Sequence, residues 1–290
     1  MWHFSRAISF AEGDIRRAVM QTKPLLSHAG DLASLLDAHQ AAGRYVLLRD
    51  DALAALRISD EALKKAARRL AAKGRLVMPR RGFFVLVPLE YRSAGAPPPS
   101  WFIDDLMKFH GQPYYLGVLS AASLYGAAHQ QPQEFQVVTT KPLRPARAGR
   151  GRIRFFTKRW FEATPVKRVK TETGSLVIST PEATALDLVR YARGAGHLGN
   201  VATVLAALAE KIDARRLVAA ARADVELAHV QRLGYLLDHL GAQRLTAPLA
   251  KWLAGRRPRS ALLRPGHPHK AAARDPRWLV IANQEIETDE

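Results

Sequence analysis

The residues of this chain best placed to do chemistry are cations set where they could meet a row of phosphates. Lys64, Lys65, Arg68 and Arg69 lie between Leu63, Ala66, Ala67 and Leu70, which recur at helical spacing. A helix here would bury the apolar stripe and leave the four cations off it. Arg80 and Arg81 stand before Gly82 between two apolar runs, where a tight turn would carry two guanidiniums at its tip. Fixed cations of this kind displace condensed counterions from a polyanion, which is the chemistry of gripping a nucleic-acid backbone. Ser59, Asp60 and Glu61 open the same helix and would lie nearest to base edges if its N-terminus entered a groove. The plainer alternative is that the run from Lys64 to Arg69 is only the solvated face of an amphipathic helix.

Several elements are needed to position these side chains. Asp50, Asp51, Leu53, Ala54 and Leu56 predict a short helix ending at Arg57, with its carboxylates at the positive end of the helix dipole. Ile58 turns inward, and Ser59 or Asp60 can cap the basic helix, which Gly74 ends after Lys73 by allowing a left-handed backbone. Leu76 to Met78 and Phe83 to Val87 read as two strands turned at Arg80-Arg81-Gly82. Leu32, Leu35, Leu36 and Ala42 predict a preceding helix, and Tyr45 to Leu48 a short strand able to pair with the hairpin. Short helix, tight turn, basic helix and Arg-Gly hairpin together predict a winged helix-turn-helix over residues 31–92. DNA binding is the favoured reading, and a winged domain that binds only protein stays open.

The 290-residue chain can hold two domains, and 48% hydrophobic with 24% charged residues is a globular composition. Its net charge of +18 favours polyanionic partners. Residues 57–92 hold ten Lys or Arg against three Asp or Glu, and residues 141–170 hold eleven against one, so the remainder is nearly balanced. With no cysteine there is neither a disulfide framework nor a thiolate metal site, which suits a reducing, cytoplasmic setting. No apolar run reaches the ~18 residues of a membrane span. Met1 to Ser9 has no continuous apolar core and cleavage site, so no signal peptide is expected.

Ser93-Ala94-Gly95-Ala96-Pro97-Pro98-Pro99 reads as a stiff linker. The expected organisation is an extension over 1–30, the winged domain over 31–92, a linker over 93–100 and a larger domain over 101–290. In that last domain Gly117 to Tyr125 reads as helix, and Phe135 to Thr139, Ile153 to Thr157, Val166 to Val169 and Leu176 to Ile178 as strands. From Thr180 onward the period is helical, with Thr180 as cap and Pro181 at the first helical position. Trp278 to Ile281 reads as a final strand returning to the sheet. The fold class is therefore α+β, with a mixed, mostly antiparallel sheet and a helical half. Lys141, Arg144, Arg147, Arg150, Arg152, Arg154, Lys158 and Arg159 surround Phe155, Phe156 and Trp160. This interleaving suits a nucleic-acid or other partner-facing surface, and equally suits basic edge strands that deter pairing with other chains.

The second half also carries a series of motifs in order. They are Tyr114-Tyr115-Leu116-Gly117-Val118-Leu119-Ser120-Ala121-Ala122-Ser123-Leu124-Tyr125-Gly126, then Gln131-Pro132, then Phe135-Gln136-Val137-Val138. Ser179-Thr180-Pro181-Glu182-Ala183-Thr184-Ala185-Leu186-Asp187-Leu188-Val189 follows, then Gln231-Arg232-Leu233-Gly234-Tyr235-Leu236-Leu237, and finally Arg277-Trp278-Leu279-Val280-Ile281-Ala282-Asn283 with Glu287. In this order they resemble the AbiEi-like antitoxins. The resemblance runs from about Leu32 onward and leaves Met1 to Ala29 outside it. It implies an antitoxin of a type IV toxin-antitoxin system. Its winged domain would bind inverted repeats in double-stranded operator DNA and repress its own operon. Its C-terminal domain would counteract a co-encoded nucleotidyltransferase toxin without a stable complex. The resemblance further implies a monomer in solution that is cooperative on DNA.

An enzyme is the rival class, and a ligand-responsive regulator without a toxin partner a third. Asp187 interrupts an apolar helix, but Arg190 and Tyr191 at i+3 and i+4 could satisfy it, and a lone carboxylate makes no acid-base pair. No strand-borne Asp with Glu-x-Lys supports a nuclease, and Gly149-Arg150-Gly151 lacks the Lys-Ser or Lys-Thr of a phosphate loop. His267 and His269 have no carboxylate or thiolate beside them. Ser120 and Ser123 have no nearby His-Asp pattern. The expectation is a non-enzymatic protein with no catalytic residues, cofactor or metal.

Overall fold

The computed structural model describes residues 30–127 and 133–286. Residues 1–29 of the expected extension, Gln131, Pro132 and Glu287 lie outside them. Helix α1 (Leu32–Ala41) starts where Asp31 accepts the Ser34 N–H at 2.8 Å, and it buries Leu32, Leu35 and Leu36. Strand β1 (Val46–Leu48) leads directly into α2 (Arg49–Leu56). There Arg57 takes a left-handed φ of 50°, and Ser59 accepts the Ala62 N–H at 3.2 Å to open α3 (Asp60–Ala72). Only residues 57–59 separate the two helices. At the far end Gly74, at φ 65°, lets the Arg75 N–H reach back to the Leu70 carbonyl and close α3.

Strands β2 (Leu76–Arg80) and β3 (Phe83–Leu86) follow, with Arg80 opposite Phe83. Their turn is therefore Arg81-Gly82, one residue shorter than the sequence suggested. The register shifts between Val77 and Arg80, around Pro79, which has no amide to offer the ladder. Strand β1 pairs antiparallel with the other side of β3, giving the order β1-β3-β2. Leu35, Leu36, Ala52, Leu63, Ala67, Leu70, Leu76 and Phe84 form one core beneath these helices and strands.

The first compact unit continues through the stretch expected as a linker, 93–100, as far as Pro113, and takes in residues 148–150. Aromatic packing accounts for the added length. The Trp101 ring lies 4.6 Å from Tyr45 and 5.2 Å from Tyr91. A helix not anticipated from sequence, α4 (Ile103–Phe109), sets Phe109 at 5.4 Å from Phe83 of β3.

In the second unit β4 (Tyr114–Leu116), β5 (Glu134–Thr139), β6 (Ala146–Ala148), β7 (Gly151–Thr157), β8 (Val166–Thr171) and β9 (Gly174–Ser179) form one sheet in the order β6-β7-β5-β4-β9-β8. It is mixed, as expected, but less antiparallel. β5 runs parallel to β7 and β4 parallel to β9, while β4–β5 and β8–β9 are antiparallel. Strands β4 and β6 are too short to stand out by periodicity. Helix α5 (Val118–Leu124) connects β4 to the segment before β5. The helical half comprises α6 (Pro181–Arg190), α7 (His197–Ala209), α8 (Ala214–Ala223), α9 (Leu227–His239) and α10 (Gln243–Ala254). Val201, Leu205, Leu208, Leu233 and Leu237 pack with Tyr115, Val138 and Leu186 in its core. The last strand does not rejoin the large sheet. β12 (Val280–Ile281) lies between β10 (Ala261–Leu262) and β11 (Arg274–Asp275) in a small separate sheet, because the preceding Trp278 anchors the segment to α9.

Candidate nucleic-acid interface

Helix α3 is built to show cations. Leu63, Ala67 and Leu70 are buried, while Lys64, Lys65, Arg68 and Arg69 are all exposed. Lys64 is already engaged, with Nζ 2.7 Å from the Asp60 carboxylate one turn earlier. Among the described residues Lys65, Arg68 and Arg69 make no ion pair. Arg49, not singled out in the sequence, proves central to the local architecture. Its Nε meets Asp60 at 2.7 Å, and its backbone N–H donates to the Gly82 carbonyl at 2.9 Å. One residue thus ties the start of α3 to the hairpin turn, and the only signal for it was its place before Asp50 at a strand-to-helix junction. The bonds from Arg49 and Lys64 pull the Asp60 carboxyl down to about 2.

The two hairpin arginines differ. Arg81 is exposed at the turn, whereas Arg80 is partly buried, donates to the Pro79 carbonyl at 3.0 Å and has its pKa lowered by that burial. Ser59, exposed, directs its oxygen to capping α3.

The basic stretch 141–170 is not one patch. Strand order separates β7, with Arg152 and Arg154, from β8, with Lys167, Arg168 and Lys170, by three intervening strands. Lys141, Arg144, Arg147, Arg150 and Arg159 are exposed. Arg152 and Arg154 reach Glu134 on the adjacent β5 at 3.6 and 3.3 Å, and Arg154 also lies over Phe156. Arg159 covers Trp160. Lys158 corrects the expectation for this run. It is buried rather than offered to a partner, with Nζ 2.9 Å from the Asp187 carboxylate.

Asp187, on α6, is the structural residue expected, but with different partners. Its second oxygen accepts the Tyr115 hydroxyl at 2.9 Å, and Gly117 is compatible because a Cβ there would stand 3.2 Å from the same carboxylate. Burial and the neighbouring negative charge push the Tyr115 phenol far above its ordinary value, so it stays protonated and donates. Arg190 turns instead to Asp224 at 2.6 Å and Glu226 at 2.8 Å, and the Tyr191 hydroxyl donates to the Thr157 carbonyl. The other motif residues brace the interior in the same way. Glu182 accepts the Asp213 N–H and Arg216 Nε, Thr184 bonds Ser179, and Gln136 holds Leu119 N–H and the Gly194 carbonyl. Ser120 accepts the Gln136 N–H.

Gln231 donates to the Arg259 and Trp278 carbonyls, Arg232 to that of Leu262, and Trp278 Nε1 to Asp238 at 2.7 Å. Gly234 is needed because a Cβ there would come 2.2 Å from the Trp278 ring. These interactions tie segments distant in sequence into one interior. No cluster of three or more His, Asp or Glu is placed to hold a metal among the described residues. No helix among them is long and apolar enough to cross a membrane.

The geometry defines an α+β protein with a small basic helix-and-hairpin unit and a larger unit whose recurring polar residues serve its interior. The model of the AbiEi antitoxin C-terminal domain matches residues 115–239, the span from β4 through α9. Over that segment, somewhat less than half of the chain, the sequence is similar to the AbiEi-like antitoxin family. The fold is similar to that of the RV2827C protein from Mycobacterium tuberculosis, with a TM-score of 0.59 at 18% identity, covering 85% of this chain and 89% of that one. No curated protein sequence matches the chain.

Proposed function

We propose that this protein is the antitoxin of a type IV toxin-antitoxin system and also the DNA-binding repressor of its own operon. The observation that carries the DNA-binding half is the set of exposed, unpaired cations Lys65, Arg68 and Arg69 on a helix three residues after its predecessor, followed by a hairpin tipped with Arg81. In this reading residues 31–92 are a winged helix-turn-helix with α3 in the major groove, its N-terminal residues toward base edges and its cations on phosphates. The partner is double-stranded operator DNA with inverted repeats, bound cooperatively by a protein that is a monomer in solution. The antitoxin half rests on the AbiEi domain, and its functional partner is a co-encoded nucleotidyltransferase toxin, counteracted in the cytoplasm without a stable complex. Lys141, Arg144, Arg147, Arg150 and Arg159 add cationic surface for flanking DNA or for the toxin side of the function.

The test uses the full chain with Lys65, Arg68 and Arg69 replaced by Ala, co-expressed with the neighbouring gene and an upstream-promoter reporter. The expected outcome is a derepressed reporter with growth still protected. Persistent repression overturns the assignment of α3, and failure of the unaltered protein to protect growth overturns the antitoxin reading.

A further inference from the structure

The outward face of α3 is not uniformly basic. At about 100° per residue, Glu61, Lys65 and Arg68 stand at i, i+4 and i+7, each two residues and hence about 200° from its buried counterpart Leu63, Ala67 or Leu70. They form the ridge farthest from the core, and all three are exposed. Glu61 is the residue of that ridge nearest the helix N-terminus. Its neighbours are already committed. Ser59 caps the helix through Ala62 N–H, both oxygens of Asp60 are held by Arg49 and Lys64, and Ala62 has no polar side-chain atom. Glu61 makes no hydrogen bond or ion pair among the described residues, not even with Lys65 at the i+4 spacing that favours one.

A free carboxylate at the leading end of a ridge that approaches phosphates is repelled by them, unless it meets a donor within the groove. The base edges supply few fitting donors. Cytosine offers its N4 amino group and has no acceptor of its own on the major-groove edge. Adenine sets N7 next to N6, guanine shows N7 and O6, and thymine shows O4, each placing an acceptor against a carboxylate.

We infer that Glu61 is the specificity-determining residue of α3 and accepts a hydrogen bond from cytosine N4 at one position of each operator half-site. This rests on the DNA-binding reading above and names its sequence readout. Lys65 and Arg68, farther along the ridge, supply grip that does not discriminate between bases.

The experiment selects bound duplexes from a pool in which the upstream region is randomised, using the full-length protein and its Glu61→Gln and Glu61→Ala variants. The unaltered protein is expected to enrich cytosine at one position per half-site. Glu61→Gln should enrich adenine there, since a Gln side chain pairs with adenine N6 and N7. Glu61→Ala should lose preference at that position alone, with about tenfold loss of discrimination. Identical selected sites for the unaltered protein and Glu61→Gln overturn the inference and leave DNA binding standing. No enrichment by the unaltered protein at low salt overturns the DNA-binding reading itself. Thermal melting of each variant checks that this solvent-facing change leaves the fold intact.

Discussion

Removing Lys65, Arg68 and Arg69 together should change how operator binding responds to salt more than it changes anything else. Each phosphate contact contributes about 0.9 to the slope of log affinity against log salt, because neutralising one phosphate releases a fixed amount of condensed counterion. Three unpaired, exposed cations therefore account for a slope of about 2.7, and between about 50 and 200 mM salt that slope alone is worth roughly 40-fold in affinity. The triple Ala variant should bind more weakly at low salt and lose correspondingly less on going to high salt. Lys64 provides the internal control. Its ammonium group lies 2.7 Å from Asp60, which Arg49 also holds, so its charge is partly compensated before any DNA arrives. Lys64→Ala should lower the slope by clearly less than one unit. The assay is fluorescence anisotropy on a labelled upstream duplex at five or more salt concentrations. An unchanged slope in the triple variant would refute placement of α3 on the phosphates. A Lys64→Ala effect as large as that of the other three would refute the argument from ion pairing.

Two further outcomes concern stability. Lys158→Met leaves the Asp187 carboxylate buried with the Tyr115 hydroxyl as its remaining side-chain partner and should cost about 3–5 kcal/mol in chemical denaturation. Pairing it with Asp187→Leu should restore much of that loss, and equal damage from the single and double changes would contradict a paired-charge explanation. His229, buried beside Arg190, is pulled down to about 4, with burial the larger cause. Its imidazole is neutral in the folded protein while the unfolded chain binds a proton near 6.5, so stability is unaffected above that pH. It declines as pH falls from about 6.5 to about 4 and levels below. The loss is on the order of a few kcal/mol, and His229→Gln should flatten this limb of the stability–pH curve; an unchanged limb would locate the titration elsewhere.

Local signals in the chain were strong where a residue acts through its own neighbours. Ser59 and Thr180 as caps, Gly74 as helix terminator and the apolar spacing of α3 were all legible, because capping and amphipathicity depend on positions a few residues apart. The six-residue strand β5 was equally plain. Short elements such as β4 and β6 offered too few residues for a period to emerge.

The sequence by itself determined the elements long enough to show a period, the cationic face of α3 and the motif series of the second half, since these are written in spacing and residue type. Tertiary structure alone decided which charges remain available. It buried Lys158 against Asp187, sent Arg190 to Asp224 rather than to Asp187, and divided the basic stretch 141–170 between separate strands of one sheet. The reason is physical: a charge is neutralised by whatever lies within a few ångströms, and those neighbours come from chain segments 29 or 34 residues away whose approach no local pattern encodes.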